Sequence, residues 1–352
     1  MTPSDRLELH PGYEISRVIR GGWQLAGGHG AVDRDTAVAD LAAFCEAGIF
    51  TFDCADIYTG VEELIGRFRL KLAATKGREA LARIKVHTKF VPDLEILSSI
   101  TKQHVGSVID QSLRRLGMER LDLVQFHWWD YAIPGSLQTA LWLKELQAEG
   151  KINLLGGTNF DTLHAAELLA AGIPLVSMQV QYSLLDARPQ HGLIDFCRNN
   201  SVHILCYGSV AGGFLSDAWL GKQEPFAPLE NRSLTKYKLI IDDFGGWALF
   251  QELLGVLRRV ADRHATDIAT VASRVMLERP QVGAVIVGAR NRSHLAANIA
   301  IMHLQLAPGD IAEIDAVLSQ RRGPEGDAFN LERDRSGRHG SIMKYNLNKK
   351  AS

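Results

Sequence analysis

Few features of this chain are extreme, and each shortage removes a class of protein. Only four cysteines occur in 352 residues, Cys45, Cys54, Cys197 and Cys206. None sits in a CxxC spacing, which speaks against a disulfide frame or a zinc clamp and for buried thiols in a reducing compartment. Lysine plus arginine (39) nearly balances aspartate plus glutamate (40), leaving a formal net charge of −1 and no electrostatic case for nucleic acid. No apolar run approaches the roughly 18 residues of a membrane span. The opening MTPSDRLELH has neither the basic nor the apolar region of a secretory signal, so a cytoplasmic protein is expected. Also missing are an HExxH, an HxH pair and any carboxylate cluster, so no metal site is expected. No nucleophile stands beside an activating base, which disfavours acyl transfer.

What is present is a rhythm. Short apolar runs fall at 16–20, 50–53, 84–88, 121–126, 152–156, 176–180, 203–206 and 284–287. They are apolar nearly throughout, as strands covered on both faces must be. Helical patterns alternate with them at 36–46, 61–72, 94–116, 137–149, 162–171, 190–199, 249–263 and 267–278. Asp161 reads as an N-cap, and Gly48, Gly117, Gly150 and Gly172 stand where helices should stop. Eight βα units predict an α/β fold, a (β/α)8 TIM barrel in one domain over 1–352, with 319–352 as a C-terminal extension. A doubly wound sheet is the rival, but no GxGxxG opens a helix after the first strand, and GGHG at 27–30 reads as a flexible loop. Ahead of the first barrel strand, LELHPGYEIS carries a Pro-Gly turn and predicts an N-terminal hairpin closing the barrel floor.

Barrel chemistry sits where the strands end. The second run stops on Asp53 in TFDCADIY, with Tyr58 five residues on; the third ends at Lys89, the fourth at His127 and the fifth at Thr158-Asn159. Gln179, Tyr207 and Gly288-Ala289-Arg290 follow at the next ends. Singly, each has an ordinary reading as a turn cap, surface lysine or core histidine. Together they define one rim. A lysine beside an aspartate stays protonated, and its ammonium against a phenol lowers the phenol's pKa. The histidine can orient a carbonyl or share in proton relay. Such a site suits proton delivery to a carbonyl oxygen, with the hydride drawn from a cofactor.

These residues carry a resemblance. From about Ile19 to Leu318 the chain resembles the aldo-keto reductase superfamily: GIFTFDCADIYTGVEELIG matches its signature, and Lys89 in VHTKF and His127 in LVQFHWWD match the remaining catalytic pair. The resemblance implies NAD(P)H-dependent carbonyl reduction or the reverse alcohol oxidation. Tyr58 would be the general acid, Lys89 would depress its pKa, Asp53 would hold Lys89, and His127 would direct the carbonyl. It further implies cofactor contacts at Gly22, Trp23 and Asp53, at Thr158, Asn159 and Gln179 for the carboxamide, and at Tyr207 for nicotinamide stacking. Gly208, Val210 and Gly212 would follow the pyrophosphate, where close backbone approach favours glycine, although GSVAGG also reads as a plain turn. Gly288, Ala289, Arg290, His294 and Asn298 match the adenosine-phosphate segment.

Two departures bear on the cofactor. Gly288 and His294 stand where many members have basic residues, and Ala297 stands where many have glutamate. Arg290 and Arg292 can still grip a 2′-phosphate, so NADPH is favoured and NADH stays open. Trp23 and the pair Trp128-Trp129 are expected to wall a pocket for a small carbonyl substrate, or one tryptophan packs beneath the rim. The stretch 218–243 reads as a long loop, a lid or an interaction surface. For the tail, a pocket border, a solvated segment and a subunit contact all stand, and the sequence is silent on oligomeric state. The alternative to an enzyme is an NADP(H)-binding regulatory subunit of the channel β-subunit type.

Overall fold

A turn at Pro11-Gly12, with Gly12 at φ 76°, joins two antiparallel strands, β1 (Arg6–His10) and β2 (Tyr13–Ser16). The structure, a computed structural model, describes residues 5–27, 32–226 and 228–348, so most of the 27–30 glycine stretch lies outside the described residues. After the hairpin come eight parallel strands: β3 (Val18–Gly21), β4 (Thr51–Asp53), β5 (Lys85–Phe90), β6 (Leu121–Phe126), β7 (Ile152–Thr158), β8 (Leu175–Gln181), β9 (His203–Tyr207) and β10 (Val282–Gly288). They pair in sequence order, and β10 pairs with β3 to close the barrel. The expected TIM barrel and its hairpin are both there. No helix of the described residues is long and apolar enough to cross a membrane.

Among the described residues eleven helices clothe the barrel or follow it before the tail, including α1 (Arg34–Glu46), α2 (Val61–Arg83), α3 (Lys102–Leu116), α4 (Ser136–Ala148), α5 (Thr162–Ala170) and α6 (Leu193–Asn199). The others are α7 (Arg232–Phe244), α8 (Gly246–Arg263), α9 (Ile268–Glu278), α10 (Leu295–His303) and α11 (Pro308–Leu318). Side-chain oxygens begin several of them: Asp33, Thr101, Asp161, Asn231 and Asp267 each accept from a backbone N–H three residues on.

The boundaries differ from expectation where local chemistry intervenes. The 94–116 pattern is two pieces, because Ile100 is extended and Thr101 caps a new start; Leu94–Ser99 is 3-10 helix. The second helix runs on to Arg83 across a non-helical Gly77. The sixth starts at Leu193, after a 3-10 turn at Arg188–Gln190. Within 218–243, expected as loop, Arg232 onward forms α7, which buries Tyr237, Ile240, Ile241 and Phe244 at helical spacing. Helices α10 and α11 were not expected from the pattern.

Alternation along the strands sorts the barrel interior into layers. In the lower layer Leu9, Tyr13 and Ile15 of the hairpin pack with Ile19, Leu123, Leu154, Val176, Leu205, Ala284 and Ile286. One alternate residue higher on β6 and β9 stand Gln125 and Tyr207, and Lys89 of β5 lies two residues past the buried His87.

Candidate active site

Asp53, the last residue of β4, and Lys89, next to last in β5, are both buried and meet at 2.7 Å. Lys89 Nζ also donates to the Cys54 carbonyl (2.8 Å). The other carboxylate oxygen of Asp53 accepts from Gln179 Nε2 (2.7 Å) and Gln125 Nε2 (3.3 Å). A buried carboxylate needs such saturation, since unpaired charge away from water is expensive. Gln125 was missed in the sequence, where a mid-strand glutamine carries no motif.

The Lys89 ammonium lies 5.0 Å from the ring centroid of Tyr58. Burial pushes the Tyr58 phenol above its usual 10, against the downward pull of Lys89. The lowering expected from Lys89 is thus outweighed, and the phenol keeps its proton at neutral pH. Burial disfavours the Lys89 cation, but Asp53 and the Tyr58 hydroxyl more than compensate, so its pKa rises. Trp23, opening a short 3-10 turn, packs edge-on to Tyr58 with centroids 5.1 Å apart.

His127 follows β6 directly and is buried, its Nδ1 bonded to the Thr158 carbonyl at 3.0 Å. A carbonyl only accepts, so Nδ1 carries the hydrogen. Burial, then the charge of Arg333, lowers the imidazole pKa to about 3, so the ring is neutral and Nε2, which is buried without a protein partner, is a bare acceptor. Of the two adjacent tryptophans one packs beneath the rim, as the second reading has it, and it is Trp128, which does not wall the pocket. Trp128 is fully buried beneath the rim, donating to the carbonyls of Asp130 (3.0 Å) and Ile133 (3.1 Å). Trp129 takes the place beside the site, edge-on to His127 at 4.3 Å.

Asn159 adopts φ 61°, a left-handed conformation uncommon outside glycine and characteristic of functional loops. Its Oδ1 accepts from the Tyr207 hydroxyl (2.9 Å), and Thr158 Oγ1 donates to the Gln179 carbonyl (3.1 Å). Lys236 of α7 lies over the Tyr207 ring at 5.2 Å, and Tyr237 seals the following loop: a Cβ on Gly208 would fall 2.5 Å from its hydroxyl oxygen. Val210 leads into the 3-10 turn that holds Gly212. At Gly22 an added Cβ would lie 2.8 Å from the Asp53 carbonyl, so only glycine lets this backbone approach.

At the end of β10 a Cβ on Gly288 would meet the Gln24 amide at 2.2 Å; beyond it Ala289 is buried, and Arg290, Arg292 and His294 are exposed before α10. Within that helix the Asn298 side-chain nitrogen is buried and unpartnered. An orphaned buried amide beside exposed cations fits the phosphate-bearing end of a dinucleotide. Among the described residues no three His, Cys, Asp or Glu side chains gather as metal ligands.

The tail is neither solvated nor remote. Phe329, at φ 62°, sets its ring 5.5 Å from His127, and Tyr345 stands 5.2 Å from Trp129. In the short helix α12 (Asn330–Arg333), Glu332 takes two bonds from Arg188 (2.7 and 3.0 Å), which also pairs with Asp186 (2.7 Å). Lys236 stands 3.8 Å from Glu332. This buried latch fastens the tail across the barrel mouth.

Comparison with known proteins agrees with this geometry. The family model described as Aldo/keto reductase family matches residues 17–319. The chain therefore belongs to the aldo/keto reductase family, a family of oxidoreductases acting on small carbonyl compounds. It is similar to "Aldo-keto reductase YhdN" of Bacillus subtilis, 26% identical over 328 residues, 89% of this chain and 94% of that protein. It is also similar to "NADH-specific methylglyoxal reductase" of Escherichia coli, 24% identical over 314 residues, 84% and 92% of the two chains. Among solved structures, the glycerol dehydrogenase AKR11B4 from Gluconobacter oxydans shares the fold at a TM-score of 0.75 and 22% identity, covering 92% of this chain and 98% of that one.

Proposed function

We propose that this chain reduces small aldehydes or ketones with NAD(P)H, and oxidises the corresponding alcohols in reverse, with Tyr58 as proton donor. The observation that carries this is the saturated Asp53–Lys89 pair lying beside a partly buried, protonated phenol. A reduced nicotinamide supplies the hydride to the carbonyl carbon. Tyr58 hands its proton to the carbonyl oxygen, and Lys89, kept charged by Asp53, stabilises the phenolate left behind. His127 takes the opposite part from the one its resemblance implies. With Nδ1–H committed to Thr158, its Nε2 accepts from a hydroxyl and has nothing to donate to a carbonyl. The sole donor role then falls to Tyr58, while His127 receives the hydroxyl of the product alcohol.

Thr158, Asn159 and Gln179 would hold the carboxamide, and a flat ligand on Tyr207 has to take the face opposite Lys236. Arg290 and Arg292 support NADPH, since guanidinium groups bind a 2′-phosphate well. The NADH-specific name of one relative supports keeping NADH in the test. All four cysteines are free thiols, in keeping with a cytoplasmic setting. The regulatory reading draws on the tail packed over the mouth.

The deciding experiment follows cofactor absorbance over a panel of aldehydes, ketones and alcohols with both nicotinamides, beside a fluorescence titration of cofactor binding. Turnover with one nicotinamide is the expected result. Tight binding without turnover would transfer the chain to the regulatory reading, and absence of binding would end both.

A further inference from the structure

Outside the barrel a second cleft lies between the 3-10 turn that follows β8 and the ends of α9 and α11, and it shares no lining residue with the site above. It holds about 430 Å³, within the range of small-molecule sites, and is open to solvent. Gln190 and His191 line one side, Arg279 and Arg321 the other. Asp315 of α11 also lines it and accepts from Arg279 Nη2 at 2.5 Å.

Charge in this cleft does not balance. Arg279 has Asp315, but Arg321 forms no ion pair with any described residue. Only its Nε is engaged, donating to the Leu318 carbonyl at 3.0 Å. Nη1 and Nη2 make no hydrogen bond to the described residues and, unlike the orphaned atoms of the core, stay within reach of solvent. The guanidinium is half-buried: burial lowers its pKa, the Tyr182 hydroxyl opposes this, and the like charge of Arg279 adds to the lowering. A cation partly withdrawn from water beside a second cation carries a cost that an incoming anion removes.

The walls are already in place. Gln190 Nε2 donates to the Tyr182 hydroxyl (2.8 Å) and His191 Nδ1 to the Gly326 carbonyl (2.9 Å). Arg188, from the same turn, reaches inward to Asp186 and Glu332 and pins it. Little has to be ordered when a ligand enters such a cleft. Away from the two arginines the lining offers acceptors: Gln190 Oε1, Asp315, and the hydroxyl oxygen of Ser319, whose hydrogen goes to the Ala316 carbonyl (2.8 Å). Acceptors call for a ligand with donors of its own.

We propose that this cleft binds a small polyhydroxylated metabolite through one oxyanion group, a carboxylate or a phosphate, received by Nη1 and Nη2 of Arg321 with Arg279 beside it. A guanidinium fork matches either group two bonds at a time. One negative charge balances the excess of one cation, and the hydroxyls of a sugar acid or a sugar phosphate meet the acceptors. The site is separate from the carbonyl-reducing centre.

The test uses the full chain in saturating NADPH, with sorbitol 6-phosphate, gluconate and sorbitol, none of which has a carbonyl that NADPH reduces. At least one of the two anions should raise Tm beyond sodium chloride of equal ionic strength, and sorbitol should not; which anion acts tells phosphate from carboxylate. Calorimetric affinity for the effective anion should fall about 10- to 100-fold in Arg321→Gln. It should rise roughly threefold in Asp315→Asn, which removes the competing carboxylate. No shift beyond that of chloride overturns the proposal, as does an equal shift with sorbitol. A response that persists in Arg321→Gln and vanishes in Arg290→Ala places the anion at the cofactor segment and overturns it too. Should Arg321→Gln not fold, Asp315→Asn decides, and an unchanged affinity there overturns the site.

Discussion

The two ends of this barrel are made from the same strands and obey opposite rules. At the floor, Leu123, Leu154 and Leu205 meet Leu9, Tyr13 and Ile15 of the hairpin in a nearly dry apolar layer. At the mouth, roughly two residues or 6–7 Å further along, the inward positions become Lys89, Gln125 and Tyr207. The floor stabilises by removing apolar surface from water, at about 25 cal/mol per Å². The mouth instead buries Asp53, Lys89, Asp186, Arg188 and Glu332, groups that hold their places only because each is paired. His87 is the floor's exception. It is buried with both ring nitrogens unpartnered, 6.2 Å from Tyr13, and burial first, then Lys89 and Lys85, lowers its pKa to about 3, so it packs as a neutral ring. The contrast teaches that stability and chemistry are separated along the barrel axis by one step of the pleat.

Substitutions at the two ends should therefore fail in different ways. Tyr58→Phe should cost roughly 100- to 10,000-fold in carbonyl reduction while cofactor affinity and urea midpoint stay near native values; a rate close to native would remove Tyr58 as proton donor. Glu332→Gln should cost about 3 kcal/mol in urea denaturation at pH 7, because Arg188 loses half of its buried compensation. Burial alone would raise the Glu332 carboxyl, but Arg188 and then Lys236 hold it at about 2 against 4.5. The folded pKa is depressed, so this contribution is complete above pH 4.5 and drains away as pH falls toward 2. Native and Glu332→Gln midpoints should thus converge as pH is lowered through that window; parallel curves would mean that the latch contributes no charge coupling. Ile15→Ala, at the floor, should cost about 2–3 kcal/mol with kcat and KM unaltered. A matching loss of kcat would show that the ends are not separable.

Much of the lower barrel and of the gathering of Asp53, Tyr58, Lys89 and His127 at one rim could be read from residue order alone. Strands buried on both faces announce themselves as apolar runs, and a run that stops on Asp53 or His127 marks the rim. What escaped reading depends on contacts distant in sequence. NLERDR, with Glu332 and Arg333, looks like solvated charge until it is seen folded over Arg188 and His127. The stretch LTKYKLIIDDF does carry the spacing of a helix at Tyr237, Ile240, Ile241 and Phe244, but its position inside a long connection suggested a loop. Trp128 and Trp129 are neighbours at a strand end, and composition does not decide which of two adjacent rings turns under the rim. For Tyr58, the pull of Lys89 was legible and the greater opposing effect of burial was not.

The hairpin under the barrel has a consequence for biosynthesis. Leu9, Tyr13 and Ile15 leave the ribosome before every barrel residue they pack against, and those residues extend as far as Ile286. Nothing can seat this cork until the last stave is in position, so a segment translated ahead of the whole barrel is among the last to be covered. During that interval a nascent chain presents three bulky apolar side chains ahead of an unfinished barrel.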